Sequence, residues 1–258
     1  VDMTKSILSE KNIFLDLKAY EKIVLENKQK QKDSWVGVNN LQEKKILLDL
    51  KSSAKKTSFM GYKFTSYKSK LKSIISDNSE KKSVPPNSDN LILVFDSTPF
   101  YAESGGQVGD SGVLKSVEDK IICKILNTKK IDGDIFLHFC DQANLSLGLG
   151  KDYILEVNTG RREKIRNNHS ATHLLHESLR QVVGEHVSQK GSLVNERKLR
   201  FDYTSNQALS EDQIFQVEDL VNNSIRSNLK TEIKIMPVKK AIESGAIALF
   251  GERYPEKA

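Results

Sequence analysis

The central hundred residues restrict the fold most, because short apolar runs alternate there with turn-forming residues. Four of these runs are candidate strands, at residues 91–95, 121–126, 135–139 and 153–157. The second and third run flank Asp132-Gly133, a dipeptide typical of hairpin turns. Several short strands separated by turns favour a small β-barrel, which we predict over residues 59–158. Directly before the first of these runs, residues 81–90 contain two prolines and are predicted to be an exposed connection.

Helical patterns flank this region on both sides. Upstream, Asp16 can cap a helix whose apolar residues follow at helical spacing, and a second helix is predicted at 41–50. Downstream, the patterns predict, in order, a helix at 159–183, a strand at 199–204, a helix from a Ser210/Gln213 capping box to 228, a strand at 232–238 and a short helix at 239–248. The predicted fold is therefore α+β, with N-terminal helices in 1–58, the barrel in 59–158 and an α/β part in 159–258.

Charge and composition set weaker limits on function. The chain carries 40 Lys/Arg and 34 Asp/Glu, and the basic excess lies in residues 1–90, with 18 basic against 11 acidic side chains. This bias permits contact with nucleic acid but does not require it, since a Lys-rich composition explains it equally well. No apolar run approaches the length of a membrane span, so no membrane partner is expected, and no protein partner is evident.

Two further features indicate the compartment and the extent of the chain. Cys123 and Cys140 are the only cysteines and form no disulfide framework, which favours a reducing, cytoplasmic location. The chain begins at Val1 rather than Met, and we expect it to be part of a longer protein.

The sharpest local motif is a pair of histidines, His169 and His173, on the long predicted helix. Residues four apart share a helix face, so two imidazoles there can bind one divalent ion. The alternative is a pair of ordinary surface or core histidines. Zinc needs four ligands, or three and water, and the spacing of the cysteines gives no reason to expect them here. His176 and His186 remain open as further ligands. The residues alone therefore predict only two ligands of a metal site, His169 and His173.

Five ordered blocks and the N-terminus together resemble the alanyl-tRNA synthetases. The blocks are TPFYAESGGQ at 98–107, NHSATHLLH at 168–176, HVSQKGS at 186–192, LRFDY at 199–203 and GAIALFGERY at 245–254, and the N-terminus is VDMT at 1–4. The resemblance covers essentially the whole chain. It implies a helical link, a small β-barrel and an α/β editing subdomain of the type shared with threonyl-tRNA synthetases.

The resemblance also implies an activity and its cofactors. The family's editing region hydrolyses tRNA(Ala) mischarged with serine or glycine, while the whole enzyme is an alanine-tRNA ligase that uses ATP and magnesium in an aminoacylation region that this sequence lacks. By resemblance, His169 and His173 are zinc ligands that a downstream Cys-x-x-x-His motif completes. The sequence ends at Ala258 without that motif, so we expect the zinc site to be incomplete in this chain.

Thr172 and Gln189 are the candidate catalytic residues, because a hydrolytic site can hydrogen-bond the serine hydroxyl and Gln189 matches the family's pocket position. The alternative is that Thr172 bonds only its own backbone and Gln189 is a solvated loop residue. Gly105 and Gly106 either let the backbone approach the substrate or form a tight turn.

Arginines precede the histidine pair on the same helix, at Arg161, Arg162 and Arg166. They are candidates for contacts with tRNA phosphates, and the alternative is a solvated charged face balanced by Glu163. For the chain as a whole, the alternatives to an editing hydrolase are a non-catalytic tRNA-binding scaffold and a free-standing protein that edits in trans.

Overall fold

The computed structural model describes residues 16, 19–20, 22–26, 56–77, 79–131, 134–205, 207–230, 232 and 234–244. The chain divides into two compact units, residues 1–49 and 50–258. In the first, residues 19–20 and 22–26 are helical, and the Asp16 carboxylate accepts a hydrogen bond from the Ala19 amide at 3.0 Å. The predicted Asp16 cap is therefore confirmed, while the predicted helix at 41–50 and most of the predicted link 1–58 lie outside the described residues.

The second unit contains every named strand and helix. The strands are β1 Ser58–Phe59, β2 Ser66–Ser76, β3 Ser79–Lys81, β4 Ser83–Val84, β5 Leu91–Phe95, β6 Ser97–Thr98, β7 Gly112–Lys115, β8 Ile121–Ile131, β9 Ile135–Cys140, β10 Leu147–Gly148, β11 Asp152–Val157, β12 Gln189–Val194 and β13 Leu199–Tyr203. The helices are α1 Thr159–Val183, α2 Glu211–Arg226 and α3 Val238–Glu243. The fold is thus α+β, as predicted, and the three predicted domain boundaries stay predictions.

Six antiparallel strands close into a barrel-like sheet in the order β11-β7-β8-β9-β5-β2, because β11 also pairs with β2. Closure leaves these strands without exposed edges. Their inward residues form one apolar core in which Leu71, Phe95, Leu114 and Leu155 are fully buried. β-bulges lie in three of the pairings and allow the sheet to curve.

The imidazole of His138, on β9, is fully buried in the barrel. Its Nδ1–H donates to the Leu93 carbonyl at 3.1 Å, and its Nε2 accepts from the Thr98 hydroxyl at 2.8 Å. Burial lowers the pKa of His138 to about 4, which keeps the ring neutral at pH 7.

In the α/β part, α1 packs against both the β12–β13 hairpin and α2. Leu179, Val187 and Val217 form the centre of this smaller core. The Asn158 side chain caps α1 by accepting from the Arg161 amide, and the predicted capping box of Ser210 and Gln213 begins α2. None of the described helices has the length and apolar character needed to cross a membrane.

Predictions and structure differ most at the C-terminal elements and in the connection 81–90. Residues 232 and 234–236 are not in a strand, and Pro237 makes only a single β-bridge before the next helix. The next helix begins at Val238, and its described part ends at Glu243. α2 ends at Arg226 instead of residue 228. The connection 81–90 is not wholly exposed, since Val84 is buried and pairs with Leu147.

Candidate functional site

The histidine pair lies on α1, which begins and ends where the sequence predicts. The rings of His169 and His173 are 5.1 Å apart between centroids and nearly parallel, at 21°. His173 is exposed and His169 is half-buried. Burial, followed by the proximity of His173, lowers the pKa of His169. The structure thus places the two imidazoles side by side on an accessible face of the helix.

The glycine-rich loop of the barrel reaches this pair. Ser104 and Gln107 exchange backbone hydrogen bonds around Gly105 and Gly106, whose φ angles of 58° and 80° define a tight two-residue turn. The Gln107 side-chain oxygen lies 2.5 Å from Nδ1 of His169. An oxygen acceptor there places the proton on Nδ1 and leaves the lone pair of Nε2 free to bind a metal or to accept a proton.

Gly106 also holds the turn against the α/β part. The Val194 amide donates to the Gly106 carbonyl at 2.8 Å, and the Val108 amide donates to the Val194 carbonyl at 3.1 Å. A Cβ on Gly106 would lie 2.4 Å from the Ser192 carbonyl oxygen, so only glycine fits at this contact. Gly105 has nothing within 4 Å of such a Cβ. The turn therefore joins the barrel to β12 beside the histidines.

Of the two candidate catalytic side chains, Thr172 lies on α1 between the histidines and Gln189 lies on β12. Thr172 is buried, and its hydroxyl donates to the Asn168 carbonyl one turn back at 2.8 Å. That bond is the backbone alternative predicted for this residue, and it leaves the oxygen lone pairs as acceptors only. Gln189 is half-buried at the first position of β12, where the register with β13 shifts. Their assignment as catalytic residues stays a prediction.

The arginines of α1 have different surroundings. Arg162 is largely buried and donates to the Asp110 carboxylate and to the carbonyls of Pro99 and Gly61. Arg161 donates to the Gly109 carbonyl at 2.8 Å and pairs with Glu196 at 3.3 Å. These two guanidinium groups therefore join α1 to the barrel and to the β12–β13 connection. Neither predicted alternative, phosphate contacts or a solvated charged face, included this role.

Arg166 is exposed and makes no hydrogen bond or ion pair with any other described residue. Of the three predicted phosphate contacts, it is the one whose side chain has no competing protein partner in the described part of the chain.

Two further histidines remained open as ligands, and the structure separates one of them from the pair. His176 is buried, with its ring 5.0 Å from that of Phe201 and its Nε2 3.5 Å from the Val187 carbonyl oxygen. It therefore packs in the helical core, although its spacing suggested the same face as His173. His186 is exposed after the end of α1, beside Gly184.

The described residues offer zinc two ligands of the four it needs. Among them, no group of three or more His, Cys, Asp or Glu side chains could hold a metal ion. Cys123 and Cys140 lie instead in the barrel core, where a hydrogen bond between the two thiols and then burial raise the pKa of Cys140 and oppose the thiolate that zinc binds. His169 and His173 have suitable donor atoms, but alone they do not fit a zinc site.

Gln107 was not predicted as a site residue. The only sequence signal was its place at the end of the glycine-rich block, since a contact across 62 positions leaves no periodic pattern. The Asp110–Arg162 ion pair was missed for the same reason.

Comparisons with known proteins show which family the sequence matches. A sequence model of the family described as tRNA synthetases class II (A) matches residues 1–161. Similar relatives include the alanine–tRNA ligases of Wolbachia pipientis, 40% identical over 256 residues and 98% of this chain, of Rhodopseudomonas palustris, 37% identical over 257 residues and 100% of this chain, and of Rickettsia felis, 35% identical over 254 residues and 98% of this chain. In each case the match spans 29% of the relative's length.

Proposed function

The chain belongs to the alanyl-tRNA synthetase family of class II tRNA synthetases, and on that premise we propose that it forms the editing region of such an enzyme. The proposed reaction is hydrolysis of the ester that joins serine or glycine to tRNA(Ala). A synthetase that carries this chain would attach alanine to tRNA(Ala) with ATP and magnesium elsewhere in the molecule. The proposed location is the cytoplasm.

One observation carries the proposal: the glycine turn, itself bonded to β12, contacts the histidine pair of α1. Gln107 of the glycine turn contacts His169, β12 is bonded to that turn through Val194, and α1 holds both imidazoles. The Gln107 oxygen accepts a hydrogen bond from Nδ1 of His169 and so orients the ring. Imidazoles of functional sites are oriented in this way, whereas histidines that merely lie on a surface need no such partner.

A separate hydrolytic site is useful because the size of a pocket discriminates poorly between similar amino acids. An alanine pocket gains only about 1–3 kcal/mol against a substrate that differs by one small group. A hydrolytic site can instead accept a hydrogen bond from the serine hydroxyl. The Thr172 oxygen can only accept, since its proton is used by the Asn168 carbonyl, and the Gln189 amide can donate or accept.

Zinc enters the proposal only with ligands beyond His169 and His173. When bound, zinc would polarise the ester or lower the pKa of an attacking water. The side chains of this chain would orient the substrate: Gln107 would hold His169 in position through its contact with Nδ1, and Thr172 and Gln189 would bind the amino acid.

The test is the His173→Ala substitution in a synthetase that carries this chain. We expect release of serine from seryl-tRNA(Ala) to be abolished while charging with alanine keeps its rate. Glu177→Ala, an exposed change one turn further along α1, is the matched control and should alter neither activity. Equal loss of both activities would assign His173 a folding role and contradict the proposal.

A second candidate is a tRNA-binding scaffold without a competent metal centre, favoured by the absence of a third metal ligand among the described residues. It predicts no stoichiometric zinc and a tRNA affinity that weakens steeply with salt. Metal analysis of a synthetase that carries this chain separates the two candidates, because one tightly held zinc ion per molecule that His173→Ala releases would exclude the scaffold.

A further inference from the structure

An aromatic cleft opens on the barrel, bordered by Ser104 of the glycine turn. Its volume is about 540 Å³, and its walls include Phe59, Tyr62, Tyr101 and Phe136, with Ser104 of the glycine turn and the lysines Lys56 and Lys130. The histidine site described above uses none of these side chains.

Phe59 is the centre of the aromatic wall. Its ring stacks on Phe136 at 5.8 Å with an interplanar angle of 7°. Tyr62 and Tyr101 meet it edge-on, at 5.0 Å and 6.3 Å. Burial and then the nearby Tyr62 phenol raise the pKa of Tyr101, in keeping with two hydroxyls close together in the cleft. The rings thus hold one another in fixed relative orientations.

Tyr62 is the unusual member, because its side chain is 89% exposed although its backbone is firmly held. The Met60 amide donates to the Thr98 carbonyl at 2.8 Å, and Arg162 donates to the Gly61 carbonyl. A Cβ on Gly61 would lie 2.4 Å from the Pro99 carbonyl oxygen, so this turn lies flat against the barrel. An aromatic ring presented to solvent on an anchored turn loses little entropy when a flat ligand stacks on it.

The rim of the cleft is cationic. Lys56 is exposed, and Lys130 lies 3.4 Å from Asp134 with its ammonium 5.9 Å from the centre of the Phe136 ring. Among the described lining residues, one acidic group, Asp134, stands against two lysines, so their net charge is positive. Aromatic faces beside a positive rim are the combination that binds unpaired nucleotides, in which the base stacks and the phosphate meets the lysine. A proline-rich peptide would use the rings but would leave the lysines without an anion.

We propose that this cleft binds one unpaired nucleobase of an RNA strand, stacked on Tyr62, with its phosphate at Lys56. The inference rests on the proposed function only for the source of the strand, which would be the tRNA whose ester the histidine site hydrolyses. Ser104 lines the cleft and bonds across the turn to Gln107, which contacts His169. A base bound in the cleft would therefore hold the strand beside the glycine turn.

The experiment measures binding of a short single-stranded oligoribonucleotide that contains 2-aminopurine to the full chain. Stacking of this base on a tyrosine quenches its fluorescence, and titration gives the dissociation constant. Tyr62→Ala should raise the dissociation constant about tenfold and remove the quenching, because stacking on one aromatic ring accounts for an effect of this order. Tyr62→Phe keeps the ring and should stay within about threefold of the native chain.

Two controls make the result specific. Phe215→Ala removes another exposed aromatic ring, on α2 and outside the cleft, and should leave binding unchanged. Lys56→Gln should lower the slope of log affinity against log salt by about 0.7, the value for one phosphate contact on a single strand. Circular dichroism of each variant checks folding, which the exposure of these side chains should preserve.

The proposal is overturned if Tyr62→Ala binds as the native chain does, or if Phe215→Ala weakens binding equally. It is also overturned if a proline-rich peptide binds in a Tyr62-dependent way while the oligoribonucleotide does not. His173→Ala separates this inference from the proposed function, because it should keep full oligonucleotide affinity whether or not it loses ester hydrolysis.

Discussion

The ion pair between Arg162 and Asp110 gives the sharpest prediction of stability. The side chains are 12% and 4% exposed, and the Arg162 guanidinium also donates to the Pro99 and Gly61 carbonyls. Arg162→Met fills a similar volume but leaves the Asp110 carboxylate buried with the Tyr101 amide, at 2.7 Å, as its remaining donor. Removal of one partner from a buried pair costs about 3–5 kcal/mol, far more than the loss of an exposed pair.

Urea denaturation followed by circular dichroism measures this cost. With a urea dependence of about 2 kcal/mol per molar, a loss of about 3 kcal/mol lowers the midpoint by about 1.5 M. Arg166→Met is the matched control, since Arg166 lies one turn further along α1, is exposed and contacts no partner among the described residues. It should change the free energy of unfolding by less than about 0.5 kcal/mol.

Adding Asp110→Asn tests the pairing itself. Without the buried charge, Arg162→Met should cost less than it does beside the native carboxylate, which a double-mutant cycle would report as a coupling between the two residues. If Arg162→Met shifts the urea midpoint no more than Arg166→Met, the guanidinium does not hold α1 to the barrel and the reasoning is refuted.

Three further predictions concern the barrel, the glycine turn and α2. Burial lowers the pKa of His138 to about 4 from 6.5, so the unfolded chain binds the proton more readily. Through this group, the free energy of unfolding should fall by about 2 kcal/mol from pH 7 to pH 5. A His138→Gln variant whose urea midpoints keep the same pH dependence would contradict this. The new Cβ of Gly106→Ala would lie 2.4 Å from the Ser192 carbonyl oxygen, whereas that of Gly105→Ala meets nothing within 4 Å. Both variants incur the strain of a positive φ, about 1–2 kcal/mol, so thermal unfolding should show Gly106→Ala to be clearly the less stable of the two. Equal losses of stability would count against the contact. Ser210→Ala removes the side chain that accepts from the Gln213 amide and should cost about 1 kcal/mol in urea denaturation, and no loss would mean that the capping box does not stabilise α2.

Local signals were sufficient for much of the fold. The bounds of α1 and β5 agree with the predicted residues, because a helix needs a cap and a periodic face and a buried strand needs a short apolar run. The capping box at Ser210 is likewise a pattern within four residues.

The errors and omissions concern partners distant in sequence. The stretch 232–238 has the local composition of a strand, but composition does not determine whether another strand pairs along it, and its described residues make only a single β-bridge, at Pro237. The contact of Gln107 with His169 and the ion pair of Asp110 with Arg162 span 62 and 52 positions. Only the folded chain shows that two of the predicted phosphate-binding arginines hold α1 to the barrel.

The rate of deacylation of seryl-tRNA(Ala), compared with that of alanyl-tRNA(Ala), tests the central claim most directly. The measurement uses a synthetase that carries this chain, with its zinc content determined on the same sample. The account predicts that the serine ester is hydrolysed at least tenfold faster than the alanine ester, and that the difference disappears in His173→Ala. A zinc-loaded enzyme that leaves both esters at the uncatalysed rate would contradict it.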